Sequence, residues 1–172
     1  MIVVSDTTPL SELAKVGRLV LLRDVSGRII IPEDVYNELT AATNPSITAV
    51  PSENWIEVRQ VIDRQKVQTL RTTTKLGLGE CAAITLAEEI GATRLLLDDL
   101  AARQEAQRRG LPVIGTVGIV LIAKQQGLIP CVKEVLDDLI TNGTRISQQL
   151  YQQALTVAGE SLNEQFSSRQ NQ

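Results

Sequence analysis

Ile2-Val3-Val4-Ser5-Asp6-Thr7-Thr8-Pro9-Leu10 is the stretch that decides the fold. The apolar run Ile2–Val4, ending in Ser5-Asp6, reads as a short buried strand. Directly behind it Thr8-Pro9 offers a helix start, with Thr8 as cap and Pro9 in the first position. Leu10, Leu13 and Ala14 give that helix an apolar stripe, and Gly17 ends it. Asp6 therefore stands where a buried strand hands over to a helix.

The same grammar recurs along the chain. Leu95–Leu97 is another buried strand, and it too ends in aspartate, Asp98-Asp99, before a helix over Ala101–Arg109. Ile29–Ile31 and Val113-Ile114 are further strands. Pro32 opens a helix with Val35, Leu39 and Ala42 on one face, and a Gly115-Thr116 cap leads into the helix Val117–Gln126. Gly77-Leu78-Gly79-Glu80 starts a strong helix, with Ala83, Ala87 and Ile90 on one face and Gly91 at its end. Leu19–Leu22, Cys131–Ile140 and Ile146–Ala158 complete the helices. Trp55–Val61 alternates and reads as a strand or edge segment. Thr43–Glu53 reads as a surface loop, and Asp63–Thr74 as a polar, weakly helical stretch with mobility expected.

Strands alternating with helices imply an α/β fold with a mainly parallel sheet covered on both faces. In such sheets the chemistry sits outside the carboxyl ends of the strands, near a topological switch point. Asp6 and Asp98-Asp99 both occupy strand ends of this kind. If their strands are neighbours, the carboxylates meet on one rim.

Composition narrows the chemistry. Of 172 residues 43% are hydrophobic and 22% charged, the balance of a globular protein with a real core. Histidine is absent, which excludes Ser-His-Asp triads, histidine general bases and His-ligated zinc. Aromatic residues are only 2%, which disfavours binding of single strands by base stacking. The net charge of −3 provides no global field to attract a polyanion, so arginines or bound cations must do so locally. Cys81 and Cys131 have no metal-like spacing and read as buried reduced thiols. No signal peptide is visible, and no apolar run reaches the roughly 18–20 residues of a bilayer span. A cytoplasmic protein without membrane attachment is expected.

Glu80 lies in the first turn of its helix and can lean toward the rim of Asp6 and Asp98-Asp99. Glu38 falls between Val35 and Leu39, on what reads as an inward face, where an unpaired carboxylate is costly. Taken singly, each acid has a structural reading. Asp6 suits a turn, Glu80 favours the helix dipole, one of Asp98-Asp99 caps the next helix, and Glu38 lies one turn from Asp34 on a solvated acidic face. Jointly they fall where one α/β rim collects them. Carboxylates crowded together raise one another's pKa. Mg²⁺ or Mn²⁺, which prefer oxygen ligands, would relieve that repulsion and hold a phosphodiester. Among the basic residues, Arg103, one turn past Asp99, is the best candidate for a phosphate contact; Arg108-Arg109 suit a solvated helix end.

At these residues the chain resembles a known family. Val3–Leu10, Gly77–Glu80 with Ala82-Ala83-Ile84, and Leu96–Asp99 with Ala102-Arg103 are similar to the PIN-like nucleases, in particular the prokaryotic branch related to VapC-type toxins. Gly115–Ile119, Ala123-Lys124 and Gly127–Ile129 extend the likeness, which runs in order from about Ile2 to Ala154. The resemblance implies a Rossmann-like three-layer α/β/α sandwich that cleaves RNA with Mg²⁺ or Mn²⁺. Asp6 would match the first acid, Glu38 the second, Glu80 the third and Asp99 the fourth, with Asp98 substituting or assisting. Metal ligation would fall to Asp6, Glu80, Asp98 and Asp99. Thr8 resembles the hydroxyl residue that supports the first acid; Thr116 reads as a helix cap. Leu97-Asp98-Asp99 stands where many relatives carry Thr-x-Asp, so the fourth acid stays open between the two aspartates. A small antitoxin and a second copy of the chain are the partners the resemblance implies, with Ile146–Ala158 serving either a dimer or the core. One PIN-like domain over 1–160 and a polar, disordered tail over 161–172 are expected. The alternatives are a PIN-like binding module without catalysis, and a phosphate-accepting receiver domain. The last ranks lowest, because Val113-Ile114 leads into Gly115-Thr116 and not into the lysine a receiver needs.

Overall fold

The computed structural model describes residues 1–160; the tail expected over 161–172 lies outside them. The chain divides into two compact units, the first Met1–Thr116 and the second from Val117 onward.

The first unit is built on five strands: β1 (Val3–Ser5), β2 (Ile29–Pro32), β3 (Ile56–Arg59), β4 (Arg94–Leu96) and β5 (Val113–Ile114). Their order is β3-β2-β1-β4-β5, and every pairing is parallel. Between β1 and β2 lie α1 (Thr7–Lys15) and α2 (Val20–Ser26); α3 (Glu33–Thr40) and α4 (Pro45–Thr48) lie between β2 and β3. Between β3 and β4 lie α5 (Arg64–Thr73) and α6 (Leu78–Ile90), and α7 (Leu100–Arg108) joins β4 to β5. This is the Rossmann-like α/β/α sandwich expected from the alternation of elements. Val3, Val4, Ile29, Ile31, Leu95 and Leu96 are wholly buried, which is why these strands read as continuous apolar runs.

The order of the strands places the site. From β1 the chain builds outward through β2 to β3, then returns to lay β4 against the other side of β1. The switch point is thus the β1–β4 pair, with Ser5 opposite Leu96. The Asp6 N–H extends the ladder by one bond to the Leu96 carbonyl (3.1 Å). Asp6 and Asp98 consequently leave adjacent strands at the same carboxyl edge.

Two readings need correction, and the helical reading of Asp63–Thr74 holds more strongly than its polar composition suggested. Thr43–Glu53 is not plain loop: Asn44 caps α4 through the Ser46 N–H (2.9 Å), Pro45 takes the first helical position, and a 3-10 turn over Val50–Ser52 buries Val50 completely. Asp63–Thr74 forms a full helix, α5. Asp63 caps it through the Lys66 N–H (2.9 Å), and Val67 and Leu70, three residues apart, join the core around α6. Two buried side chains on one stripe order a segment whose mean composition is polar. The first helix starts at Thr7 with Asp6 in the cap position, so Thr8 is not the cap and Pro9 sits in the third helical position.

The second unit contains α8 (Thr116–Gln125, which begins at the last residue of the first unit), α9 (Val132–Thr141) and α10 (Gln148–Val157). Its apolar stripe includes Ile119, Val120, Val135, Leu136, Leu139 and Leu155, all essentially buried. Glu160 closes it. The carboxylate accepts from the Val132 and Lys133 N–H groups (2.7 and 2.8 Å) at the start of α9, and from the Lys124 ammonium (2.8 Å) on α8. The Cys131 thiol donates to the same carboxylate (3.3 Å), so Cys131 is half-buried and hydrogen-bonded while Cys81 is fully buried; both are free thiols. Among the described residues no helix is long and apolar enough to cross a membrane.

Candidate active site

Asp6 is the most secluded of the acids, only 4% exposed. Burial is the main force on its carboxyl and raises its pKa to about 7; the Thr7 N–H works in the opposite direction, and the charges of Glu80, Glu38 and Asp98 add to the rise. The charged side chains that act on it most strongly are therefore all acids, drawn from α6, α3 and the end of β4. Glu80, Glu38 and Asp98 thus each act electrostatically on the buried Asp6 carboxyl.

Each neighbour is held by a specific bond. Glu80, in the first turn of α6, accepts from the Gly77 N–H (2.9 Å). Burial raises its pKa, the Gly77 N–H lowers it, and the Asp99 and Glu38 charges raise it further, for a net rise. Asp98 is half-buried, and both its oxygens are engaged by Thr116, Oδ1 by the N–H (2.7 Å) and Oδ2 by the hydroxyl (2.6 Å). Burial pushes the Asp98 pKa up despite Thr116 and the nearby Arg103, which pull it down. Asp99 is exposed and caps α7 through the Ala102 N–H (2.9 Å). The aspartate pair thus divides its labour: Asp99 caps α7, and Asp98 is the half-buried carboxylate held by Thr116.

The inward reading of Glu38 needs correction, and so does the solvated reading of Asp34. Asp34 is the buried acid of α3, 9% exposed, and takes a bidentate bond from Arg64 (2.7 and 2.9 Å). Glu38 is exposed as a residue, but its carboxylate accepts from the Thr7 hydroxyl and from the Gly79 N–H (3.1 Å). It joins α3 to α1 and to α6, the helices that begin at Asp6 and carry Glu80. Gly79 is glycine for this contact, since a Cβ there would stand 2.6 and 2.7 Å from the Glu38 oxygens.

Sequence reasoning missed or undervalued several residues. The Thr7 hydroxyl donates to Glu38, a contact the sequence did not signal. Thr116, expected as a helix cap, has both its donors on Asp98. Gly115 permits the approach, because a Cβ would lie 2.5 Å from an Arg103 nitrogen and 2.9 Å from Asp98 Oδ1. Arg103 donates to the Leu97 carbonyl (3.1 Å) and flanks Asp98, a bracing position beside the acids. Arg108 and Arg109 both pair with Glu105, as a solvated helix end would.

The donor set is carboxylate oxygen throughout, which suits a hard divalent cation. Among the described residues no three Asp, Glu or Cys side chains already converge as a ready cage. Gathering them on one ion calls for side-chain rotation, for which Glu80 and Asp99 each have one oxygen with no backbone bond.

No curated protein matches the chain. A family model described as PIN domain matches residues 2–160. With the match covering nearly all of the sequence, and a five-stranded parallel sheet of the expected kind, the chain belongs to the PIN domain family, whose fold is of nuclease type.

Proposed function

We propose that this protein is a metal-dependent endoribonuclease that hydrolyses RNA phosphodiester bonds, related to the VapC-type branch and acting as the toxin of a toxin–antitoxin pair. Family membership supports hydrolysis of nucleic acid. The observation that carries the metal dependence is Asp6, buried at the β1–β4 edge in a field made by Glu80, Glu38 and Asp98. Mg²⁺ or Mn²⁺, when bound, supplies neutralising charge and polarises the phosphodiester. Asp6, Glu80, Asp98 and Asp99 carry the oxygens that would hold it. Glu38 fixes the entry of α1 against the start of α6, and Thr116 with Arg103 keeps Asp98 aimed. Water attacks phosphorus and gives its proton to a carboxylate of the cluster, while the bond to the leaving oxygen breaks and that oxygen takes a proton from solvent. The same reading makes residues 1–160 one functional domain in the cytoplasm, controlled by a small antitoxin and working as a homodimer. Leu150 and Val157 are exposed on α10 and offer apolar surface for a second copy.

Purified protein incubated with Mn²⁺ and a mixed RNA pool is expected to cleave it, and to stop with a chelator. Asp6→Asn is expected to abolish cleavage while leaving the melting temperature unchanged or raised, because it removes a buried charge set among like charges. Full activity in Asp6→Asn rejects the assignment. A second reading, a PIN-like module without catalysis acting through a protein partner, is favoured by the lack of a preformed three-acid cage among the described residues. Silence on every RNA tested, despite measured Mn²⁺ binding, selects it.

A further inference from the structure

A cleft of about 280 Å³ has a lining that includes Lys75, Leu76, Ala101, Gln104, Glu105 and Arg108, residues close along the chain to Glu80 and Asp99. One wall is the connection from α5 to α6. It runs from Leu76 straight into Gly77, whose N–H holds Glu80. The other wall is the beginning of α7, two residues past Asp99. The cleft is therefore continuous along the chain with both sides of the acidic rim, yet none of the five acids lines it.

Its chemistry differs from that of the rim. Leu76 is a buried apolar floor, and the Ala101 methyl faces the same space. Glu105, the one acid in the lining, is neutralised by Arg108 (2.6 Å) and Arg109 (2.7 Å). Lys75 is exposed, and among the described residues its ammonium carries no ion pair or hydrogen bond. An apolar floor with an uncommitted cation at its edge suits a sugar–base unit and its phosphate. The volume is near the lower end of the roughly 300–1,000 Å³ of small-molecule sites, enough for one nucleotide. No aromatic side chain lines the cleft, so recognition rests on charge and apolar contact and is tolerant of base identity.

We propose that this cleft is a subsite for the RNA nucleotide adjacent to the cleaved bond, with Lys75 binding its phosphate. The proposal rests on the nuclease reading, since a strand crossing the acidic rim is what brings a second phosphate to Lys75. It gives this acidic protein a local cation for its polyanionic substrate.

The test uses the full chain carrying Asp6→Asn, so that no RNA is cut, and a fluorescein-labelled single-stranded RNA whose binding is followed by anisotropy in Mn²⁺ across a salt series. Lys75→Gln is expected to weaken binding roughly 5- to 10-fold at low salt and to reduce the slope of log K against log salt by about 0.7, one single-strand phosphate contact. Arg28→Gln removes an equal charge at the amino end of β2, on the opposite edge of the sheet, and is expected to change neither quantity. Affinity and slope unchanged in Lys75→Gln, or lowered equally in Arg28→Gln, overturn the subsite. Failure of the nuclease reading looks different: the protein without Asp6→Asn leaves all RNA intact. RNA bound without dependence on Lys75 rejects the cleft alone.

Discussion

Replacing Glu160 by Gln tests how the second unit is closed. The carboxylate of Glu160 accepts from the Lys124 ammonium, the Val132 and Lys133 N–H groups and the Cys131 thiol. Burial is the largest single influence on it and favours the neutral form, but these donors together outweigh it and hold the pKa at about 2, against an ordinary 4.5. At about 1.4 kcal/mol per unit, a shift of this size corresponds to about 3 kcal/mol favouring the folded state. Solvent screening at a site whose side chain keeps 14% exposure reduces this to about 2 kcal/mol. The sign follows from the depressed value. The stabilisation is complete above pH 4.5, where the unfolded carboxyl is also charged, and is lost as pH falls from there toward 2. Glutamine keeps the shape, but it has no charge and turns an N–H₂ group toward donors. Thermal unfolding followed by circular dichroism at pH 7 is expected to show Glu160→Gln melting about 4–8 °C lower, at roughly 2–4 °C per kcal/mol for a chain of this size. The gap between the two proteins is expected to close as pH is lowered from 4.5 toward 2. Equal melting temperatures at pH 7, or a gap independent of pH, would refute the account of Glu160 as a charged cap on α9.

Two further perturbations probe the acidic rim. Gly79→Ala places a methyl on the Glu38 oxygens, and the carboxylate must leave Thr7 and Gly79. The better helix propensity of alanine offsets the loss, so stability is expected to stay within about 1 kcal/mol while cleavage falls. In a Glu38→Ala background the same change is expected to stabilise by about 0.5–1 kcal/mol. Equal effects in both backgrounds would show that Glu38 does not occupy that contact. Thr116→Val removes the hydroxyl bond to Asp98 and keeps the N–H bond, and is expected to cost about 1–2 kcal/mol in chemical denaturation. Thr116→Ser is expected to restore most of it; a serine variant as weak as valine would assign the loss to packing.

Asp34 and Glu38 show where local reading stops. Within the eight residues of α3 the apolar positions Val35 and Leu39 define a stripe, but the stripe does not say which adjacent acid finds a partner. Arg64 comes from thirty residues further on and neutralises Asp34, while the Gly79 N–H comes from forty-one residues further on to receive Glu38. Neither meeting has a local signal. The helix α5 did have one, Asp63 in a capping position, but its polar composition concealed the two residues that bury.

The amino-acid sequence by itself determined the alternation of apolar strands with amphipathic helices, the parallel α/β class that follows, and the placing of Asp6 and Asp98-Asp99 at strand ends. These are properties of contiguous segments, written in the period of hydrophobic residues and in turn chemistry. Only the tertiary structure decided that β4 returns to lie against β1, that the Thr7 hydroxyl meets Glu38, and that Asp98 is held by Thr116 while Asp99 caps α7. Each depends on groups distant in the chain or on the rotation of one helix against another. Such pairings are selected by the packing of the whole core.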